Sequence, residues 1–433
     1  MSTRASGTPA TSTAIIGVLF FVFGFVTWLN GPLITFVKLA FRLDDVSAFL
    51  VPMAFYMSYL LLALPAAAIL RRTGMKRGMT LGLLIMSAGA LAFGQFAFLR
   101  VFPGALCGLF IIGAGLAVLQ TAANPYISIL GPIETAARRI AVMGICNKVA
   151  GILAPVVIGT LVLKDAGALD AEVRAAPDAA AREVLLEGFA SRIHVPYLVM
   201  AGLLALLGIL IIRSPLPDVR PATGGRAGPD RGLRGFPHLW LGVLCLFLYV
   251  GVEVMAGDAI GAYGQAFGLP LDRTAFFTSF TLAAMLAGYL VGLLVVPRYA
   301  SQQRYLAFSA LLGCLVVVGA AVTKGYVSVG FVAALGFANA MMWPAIFPLA
   351  IAGLGRHTET GSAVMIMAIC GGAVVPQLFA VLKEHAPFQL VFALLMLPAY
   401  AYILFFAVRG HRIGSPPGTR ERSPEPVAQG ALQ

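Results

Sequence analysis

Ala141-Val142-Met143-Gly144-Ile145-Cys146-Asn147-Lys148-Val149-Ala150-Gly151-Ile152-Leu153-Ala154-Pro155 has a counterpart late in the chain. That counterpart is Ala363-Val364-Met365-Ile366-Met367-Ala368-Ile369-Cys370-Gly371-Gly372-Ala373-Val374-Val375-Pro376. An apolar run with a proline precedes each, through Asn124-Pro125 in the first case and Trp343-Pro344 in the second. The offsets Pro125 to Pro344 and Pro155 to Pro376 differ by only two residues. Prolines alone carry little weight, because they are common in membrane helices. The shared spacing together with the Ala-Val-Met triplets predicts two related halves.

The rest of the chain fits that repeat to a membrane. Its 433 residues are 60% hydrophobic and 11% charged, with mean hydropathy +0.91, which no water-soluble globule shows. A spanning helix with its loop takes roughly 30 to 36 residues, so there is room for about twelve. The apolar runs are continuous and do not alternate, which excludes a β-barrel. Spans are predicted near 14–38, 48–70, 78–99, 104–130, 139–163, 196–213, 237–264, 274–296, 305–323, 326–353, 361–382 and 389–408. The expected fold is all-α, with segment 1–13, a six-helix bundle over 14–213, a linker at 214–236, a second six-helix bundle over 237–408 and a disordered tail at 409–433. Within the first bundle, the acidic, Ala-rich stretch 164–194 reads as a loop. The first apolar run is too long for a signal-peptide core and reads as an uncleaved span.

The net charge of +12 does not indicate nucleic acid, because the basic residues lie between apolar runs and form no stripe. They read as topology signals. With the N-terminus inside, Arg71, Arg72, Lys76, Arg77, Arg138, Arg139, Arg220, Arg226, Arg231, Arg234, Arg298, Arg304, Arg356, Arg409 and Arg412 all fall on the inner side. Arg100, Arg273, Lys324 and Lys383 are left singly in outer loops, so both termini are expected in the cytoplasm. Cys107, Cys146, Cys245, Cys314 and Cys370 lie within apolar runs without a CxxC pair and read as buried packing thiols, with no disulfide framework or zinc site.

Ionisable or amide residues deep in a span are costly, so each is a candidate for a site facing protein or a water-filled cavity. The charged ones are Glu253 and Asp258 in span 7 and Lys148 in span 5; the amides are Asn30, Gln120, Asn124, Asn147, Asn339 and Gln377. A carboxylate as deep as Glu253 can accept sugar hydroxyls, bind a cation such as sodium, or carry a proton; it can also be a structural partner for Lys148. Asp258 points to another face of the helix, toward either a cavity or the interface. Lys148 is either a fixed positive charge or the partner of Glu253. The amides suit a neutral polyhydroxylated ligand, and Trp343 and Trp28 offer flat faces on which a sugar ring can stack, unless they are packing or interface anchors. The fragment Gly113-Ala114-Gly115 means helix packing, and no Walker A, HExxH or nucleophile elbow is present. The chain therefore reads as no enzyme, with no cofactor beyond a co-transported sodium ion or proton, driven by a gradient.

Parallel six-span repeats around a midplane site are the mark of the major facilitator architecture. Leu119-Gln120-Thr121-Ala122-Ala123-Asn124-Pro125-Tyr126 through Ile129-Leu130-Gly131-Pro132 resembles the fucose/galactose/glucose permease family of that superfamily. Phe25 to Gly31, Gly144 to Lys148, Val250 to Val254 and Met342 to Pro348 are similar to its bacterial glucose/galactose and N-acetylglucosamine branches, and Arg71 to Gly78 to a degenerate form of the superfamily's basic loop. The proton-coupled fucose permeases carry an aspartate where this chain has Gly31 and a glutamate where it has Gln120, so their coupling scheme does not transfer. The resemblance implies a monomeric importer of a hexose or N-acetylhexosamine in a bacterial inner membrane, in contact with lipid. Its sugar site would be Asn30, Gln120, Asn124, Asn147, Glu253, Asn339, Trp343 and Gln377, with Glu253, Asp258 and Lys148 for ion coupling. Facilitated uniport, efflux of another small molecule and a non-transporting sugar sensor stay open as alternatives.

Overall fold

The computed structural model describes residues 9–129, 136–216, 232–296 and 298–414. These are helical, with no strand among them. In chain order the membrane helices are span 1 (Pro9–Thr27 and Asn30–Ala40), span 2 (Leu50–Thr73), span 3 (Met75–Phe98), span 4 (Phe102–Ile129), span 5 (Ala136–Leu161) and span 6 (His194–Arg213). The second set is span 7 (Pro237–Gly257 and Ile260–Gln265), span 8 (Phe277–Val295), span 9 (Gln302–Val322), span 10 (Gly325–Asn339 and Met342–Ile351), span 11 (Thr358–Met367 to Gly371–Leu382) and span 12 (Phe388–Val408). The predicted spans fall within a few residues of these helices; the first helix begins at Pro9, and its apolar, membrane-crossing part at Thr13. Most of the linker, the tail from 415 and the side chains of Asn124, Arg138, Arg139 and Arg356 lie outside the described residues, as do Arg220, Arg226 and Arg231.

Four spans expected to be continuous are interrupted, span 11 by a 3-10 turn at Ala368–Cys370 and the others as follows. Span 1 turns at Trp28 and Leu29, where Asn30 Nδ2 donates to the Thr27 carbonyl at 3.1 Å. Span 7 turns at Asp258 and Ala259, where Thr278 and Thr281 hydroxyls donate to the carbonyls of Gly257 (2.8 Å) and Ala256 (2.7 Å). Span 10 bends by 41° before Pro344, whose ring nitrogen has no hydrogen to donate to the preceding turn. Irregular backbone survives at this depth only where protein groups satisfy it, as these hydroxyls and amide do.

The stretch 164–194 is another departure, since it folds into two helices, Ala166–Ala175 and Ala179–Ser191. Its alanines favour helix once Asp178 caps the second by accepting from the Ala181 N–H at 2.6 Å. Phe189 then packs on Phe36 of span 1, ring centroids 5.3 Å apart. The cysteines depart in part as well: Cys245 and Cys370 are buried, whereas Cys107 is exposed. An apolar run in a membrane protein faces lipid as readily as protein, so hydropathy does not separate the two.

The repeat is visible in the packing. Span 1 approaches span 5 so closely that a Cβ on Gly24 would overlap the Asn147 carbonyl, and span 11 approaches span 7 so closely that a Cβ on Gly371 would overlap the Phe247 carbonyl. Gly330 on span 10 has open space instead. Gly371→Ala is expected to cost about 1–3 kcal/mol through overpacking, read as a lower melting temperature in detergent, while Gly330→Ala melts like the parent. Equal melting of both variants would contradict this close approach.

Candidate functional site

Between the bundles lies a cavity of about 140 Å³. Its wall comes from spans 1, 2, 4 and 5 on one side and 7, 8, 10 and 11 on the other. Its volume exceeds the roughly 10–15 Å³ that a single water needs, so the cavity holds several waters or a small ligand. At its centre Lys148 Nζ donates to Glu253 Oε1 at 3.1 Å. Their side chains are 8% and 13% exposed, so both charges are largely removed from water and each is the other's counter-charge. One charge belongs to span 5 and the other to span 7, so the pair crosses from bundle to bundle.

Trp28 supports the pair. The Lys148 ammonium stands 4.5 Å from the indole ring centroid, and Trp28 Nε1 donates to Asn147 Oδ1 at 3.4 Å. Gln120 Nε2 donates to the Tyr59 hydroxyl at 3.0 Å, which leaves its carbonyl oxygen for another donor. Trp343 lies on the far wall, stacked on Phe347 with centroids 5.8 Å apart and planes 17° apart. Gln120, Asn147, Lys148, Glu253, Trp28 and Trp343 are thus brought together in one cavity.

Four of the other sequence candidates, Asn30, Asn339, Gln377 and Asp258, lie elsewhere, and in each case a hydrogen-bond partner holds them there. Asn30 is spent on the break in span 1. Asn339 is fully buried within the second bundle, where its Oδ1 accepts from the Tyr400 hydroxyl at 2.8 Å. Gln377 Nε2 donates to the Val46 carbonyl at 3.1 Å, near the end of the bundles away from the basic residues. Asp258 is 1% exposed and faces neither cavity nor solvent, but the seam between spans 1 and 7. Asn124 belongs to the span 4 helix, with its side chain outside the described residues. A sodium ion at Glu253 would share that carboxylate with the Lys148 ammonium, which bonds Oε1.

Sequence reasoning missed the phenols. Tyr56, Tyr59, Tyr249 and Tyr289 all line the cavity, and the signal available was a hydroxyl placed deep in an apolar run. Beyond the cavity, polar contacts between bundles also cross the end away from most of the basic residues. Asp45 pairs with both Lys38 and Lys383, Gln265 Nε2 donates to Thr35 Oγ1 at 3.2 Å, and Asp272 Oδ1 accepts from the Gly167 N–H at 3.0 Å. At the basic end Arg71 and Glu359 bridge the bundles at 3.0 Å.

Residues 16–376 match the profile of the Major Facilitator Superfamily. The chain is 33% identical over 399 residues to a glucose/galactose transporter of Brucella abortus biovar 1 (strain 9-941), covering 91% of this chain and 93% of that one. The chain belongs to the Major Facilitator Superfamily, in its fucose/galactose/glucose permease family. It is also 26% identical to the L-fucose-proton symporter of Escherichia coli K12, over 91% of this chain and 92% of that one. The crystal structure of FucP, a Major Facilitator Superfamily transporter in the outward conformation, superposes with TM-score 0.73 at 24% identity, over 94% of this chain and 99% of that one.

In this major facilitator chain the Lys148–Glu253 pair is the feature most open to direct test. Removing one partner strands a buried charge, at about 3–5 kcal/mol, whereas removing both spares that penalty. Glu253→Gln is therefore expected to melt well below the parent in detergent, and Glu253→Gln combined with Lys148→Met to recover much of the loss. A double variant no more stable than the single one would show that the two charges are not coupled.

Proposed function

We propose that this chain imports a hexose or N-acetylhexosamine by cation-coupled symport, holding the sugar between its bundles and exposing it to each side in turn. The observation that carries the reading is the cavity lining: donor and acceptor groups on both bundles, an aromatic wall at Trp343, and a charge pair that already cancels itself. A neutral sugar can add hydrogen bonds to Gln120, Asn147 and Glu253 without bringing a charge that must be desolvated. The relatives named glucose/galactose transporter and L-fucose-proton symporter support the same substrate class. The basic end is read as cytoplasmic, with both termini there, because basic residues are retained on the inner side of a membrane. The membrane is read as a bacterial inner membrane, since the relatives are bacterial proteins. One chain supplies the whole cavity lining, so a monomer suffices.

Lys148 and Glu253 join the two bundles at the point where they must move relative to one another. A sugar hydroxyl inserted between them loosens that tie and replaces its hydrogen bonds, which links occupancy to motion. One observation favours the alternative of a facilitative uniporter: the Glu253 charge is already matched by Lys148, without a driving cation.

Reconstituted proteoliposomes decide the matter. At least one of labelled glucose, galactose, N-acetylglucosamine and fucose is expected to exchange in counterflow and to accumulate when a cation gradient is imposed. Exchange of none of them would overturn the sugar reading, and equilibration without accumulation would leave the uniporter. Gln120→Ala and Asn147→Ala should each raise KM by about tenfold, the equivalent of one lost hydrogen bond of about 1.4 kcal/mol. If KM is unchanged in both, the sugar binds elsewhere.

A further inference from the structure

We propose that Asp258 binds the coupling proton and that Tyr56 carries it between Asp258 and the sugar cavity. This rests on the symport reading above and names both the driving ion and its site. Asp258 sits at the break of span 7, pressed against the break of span 1: a Cβ built on Gly31 would lie 3.3 Å from the Asp258 Cα. Its Oδ2 accepts from the Tyr56 hydroxyl at 3.2 Å. Its Oδ1 is buried and has no hydrogen-bond partner among the described residues.

The groups around Asp258 leave it without a counter-cation. Span 2 offers Tyr56, span 7 itself offers Glu253, and span 5 offers Lys148, whose ammonium is already held by Glu253 and seated over Trp28. Span 1 presents Gly31 with its backbone N–H, and span 8 presents Thr278, whose hydroxyl is spent on the Gly257 carbonyl; neither residue is ionisable. An anionic carboxylate with one orphaned oxygen is poorly matched to this seam, whereas a proton on Oδ1 removes the charge and leaves Oδ2 accepting from Tyr56.

The consequence is a link between proton and conformation. When spans 1 and 7 part, water reaches Asp258, and the carboxylate is tolerated. When they close, the protonated form is favoured, so proton binding and closure each promote the other. Release needs a path from the closed seam, and Tyr56 supplies one because the same residue lines the cavity. A turn of the carboxyl brings the protonated oxygen to the Tyr56 hydroxyl. That hydroxyl accepts the proton as it gives its own to cavity water, so the phenol ends unchanged and Asp258 is left ionised. Glu253, held by Lys148, then serves the sugar and the inter-bundle tie.

The test uses the full chain in proteoliposomes, with the labelled hexose that shows counterflow. Sugar entry is expected to draw protons from a lightly buffered medium, and a pH gradient, but not a sodium gradient, is expected to drive accumulation. Asp258→Asn should keep counterflow while its accumulation ratio under a pH gradient falls to unity, and Tyr56→Phe should slow proton-linked entry. Accumulation by Asp258→Asn at the parent ratio, or accumulation driven by sodium alone, would overturn the assignment. If Asp258→Asn loses counterflow as well, the other two readouts decide: proton uptake that Tyr56→Phe slows supports the assignment, and proton uptake that is absent or unslowed refutes it. Absence of counterflow in the unaltered protein would instead sink the sugar reading, a separate result.

Discussion

The ion pair between Lys148 and Glu253 is the contact on which the interior of this protein turns. Each charge alone would be unmatched at the depth of the membrane, and neither bundle holds both. The two six-helix units therefore complete each other electrically at the place where the cavity forms. Neighbouring features follow from that need: the Trp28 ring beneath the ammonium, the Asn147 oxygen that holds the indole N–H, and small residues that let the indole fit. A Cβ on Gly151 or Gly257 would press on the Trp28 ring from span 5 or span 7. A large aromatic can thus sit at the seam because two adjacent spans have no side chain there.

Contacts at both ends of the molecule also join the bundles. Far from the basic residues, Asp45 is shared by Lys38 from its own bundle and Lys383 from the other, and Gln377 and Gln265 add hydrogen bonds across the same seam. At the opposite end Arg71 and Glu359 join the bundles with partly exposed side chains, where water and salt weaken such pairs.

Much of the architecture was legible in the sequence, because hydropathy reports the membrane directly and the offsets from Pro125 to Pro344 and from Pro155 to Pro376 report the repeat. The scarcity of charge at depth led to Lys148 and Glu253 for the same reason: an expensive residue needs a partner. What stayed hidden depends on which way a side chain faces. Asn339 and Gln120 look alike in sequence, yet Tyr400 claims the first inside one bundle while the second reaches the cavity beside Tyr59. Gln377 caps a backbone carbonyl across the seam, a role that periodicity does not encode. Tyr56, Tyr59, Tyr249 and Tyr289 were overlooked because their rings count as apolar while their hydroxyls do the polar work. The breaks in spans 1 and 7 were invisible because the apolar runs continue through them, and only Thr278, Thr281 and Asn30 reveal how the freed carbonyls are satisfied.

A structure of the protein with a bromine- or iodine-bearing hexose, located by anomalous scattering, would show where the ligand sits relative to the Lys148–Glu253 pair. One bound sugar is expected between the bundles, with hydroxyls within hydrogen-bonding distance of Gln120, Asn147 and Glu253 and its ring against Trp343. A sugar found away from the Lys148–Glu253 pair, for example beside Asn339 or Gln377, would contradict this expectation.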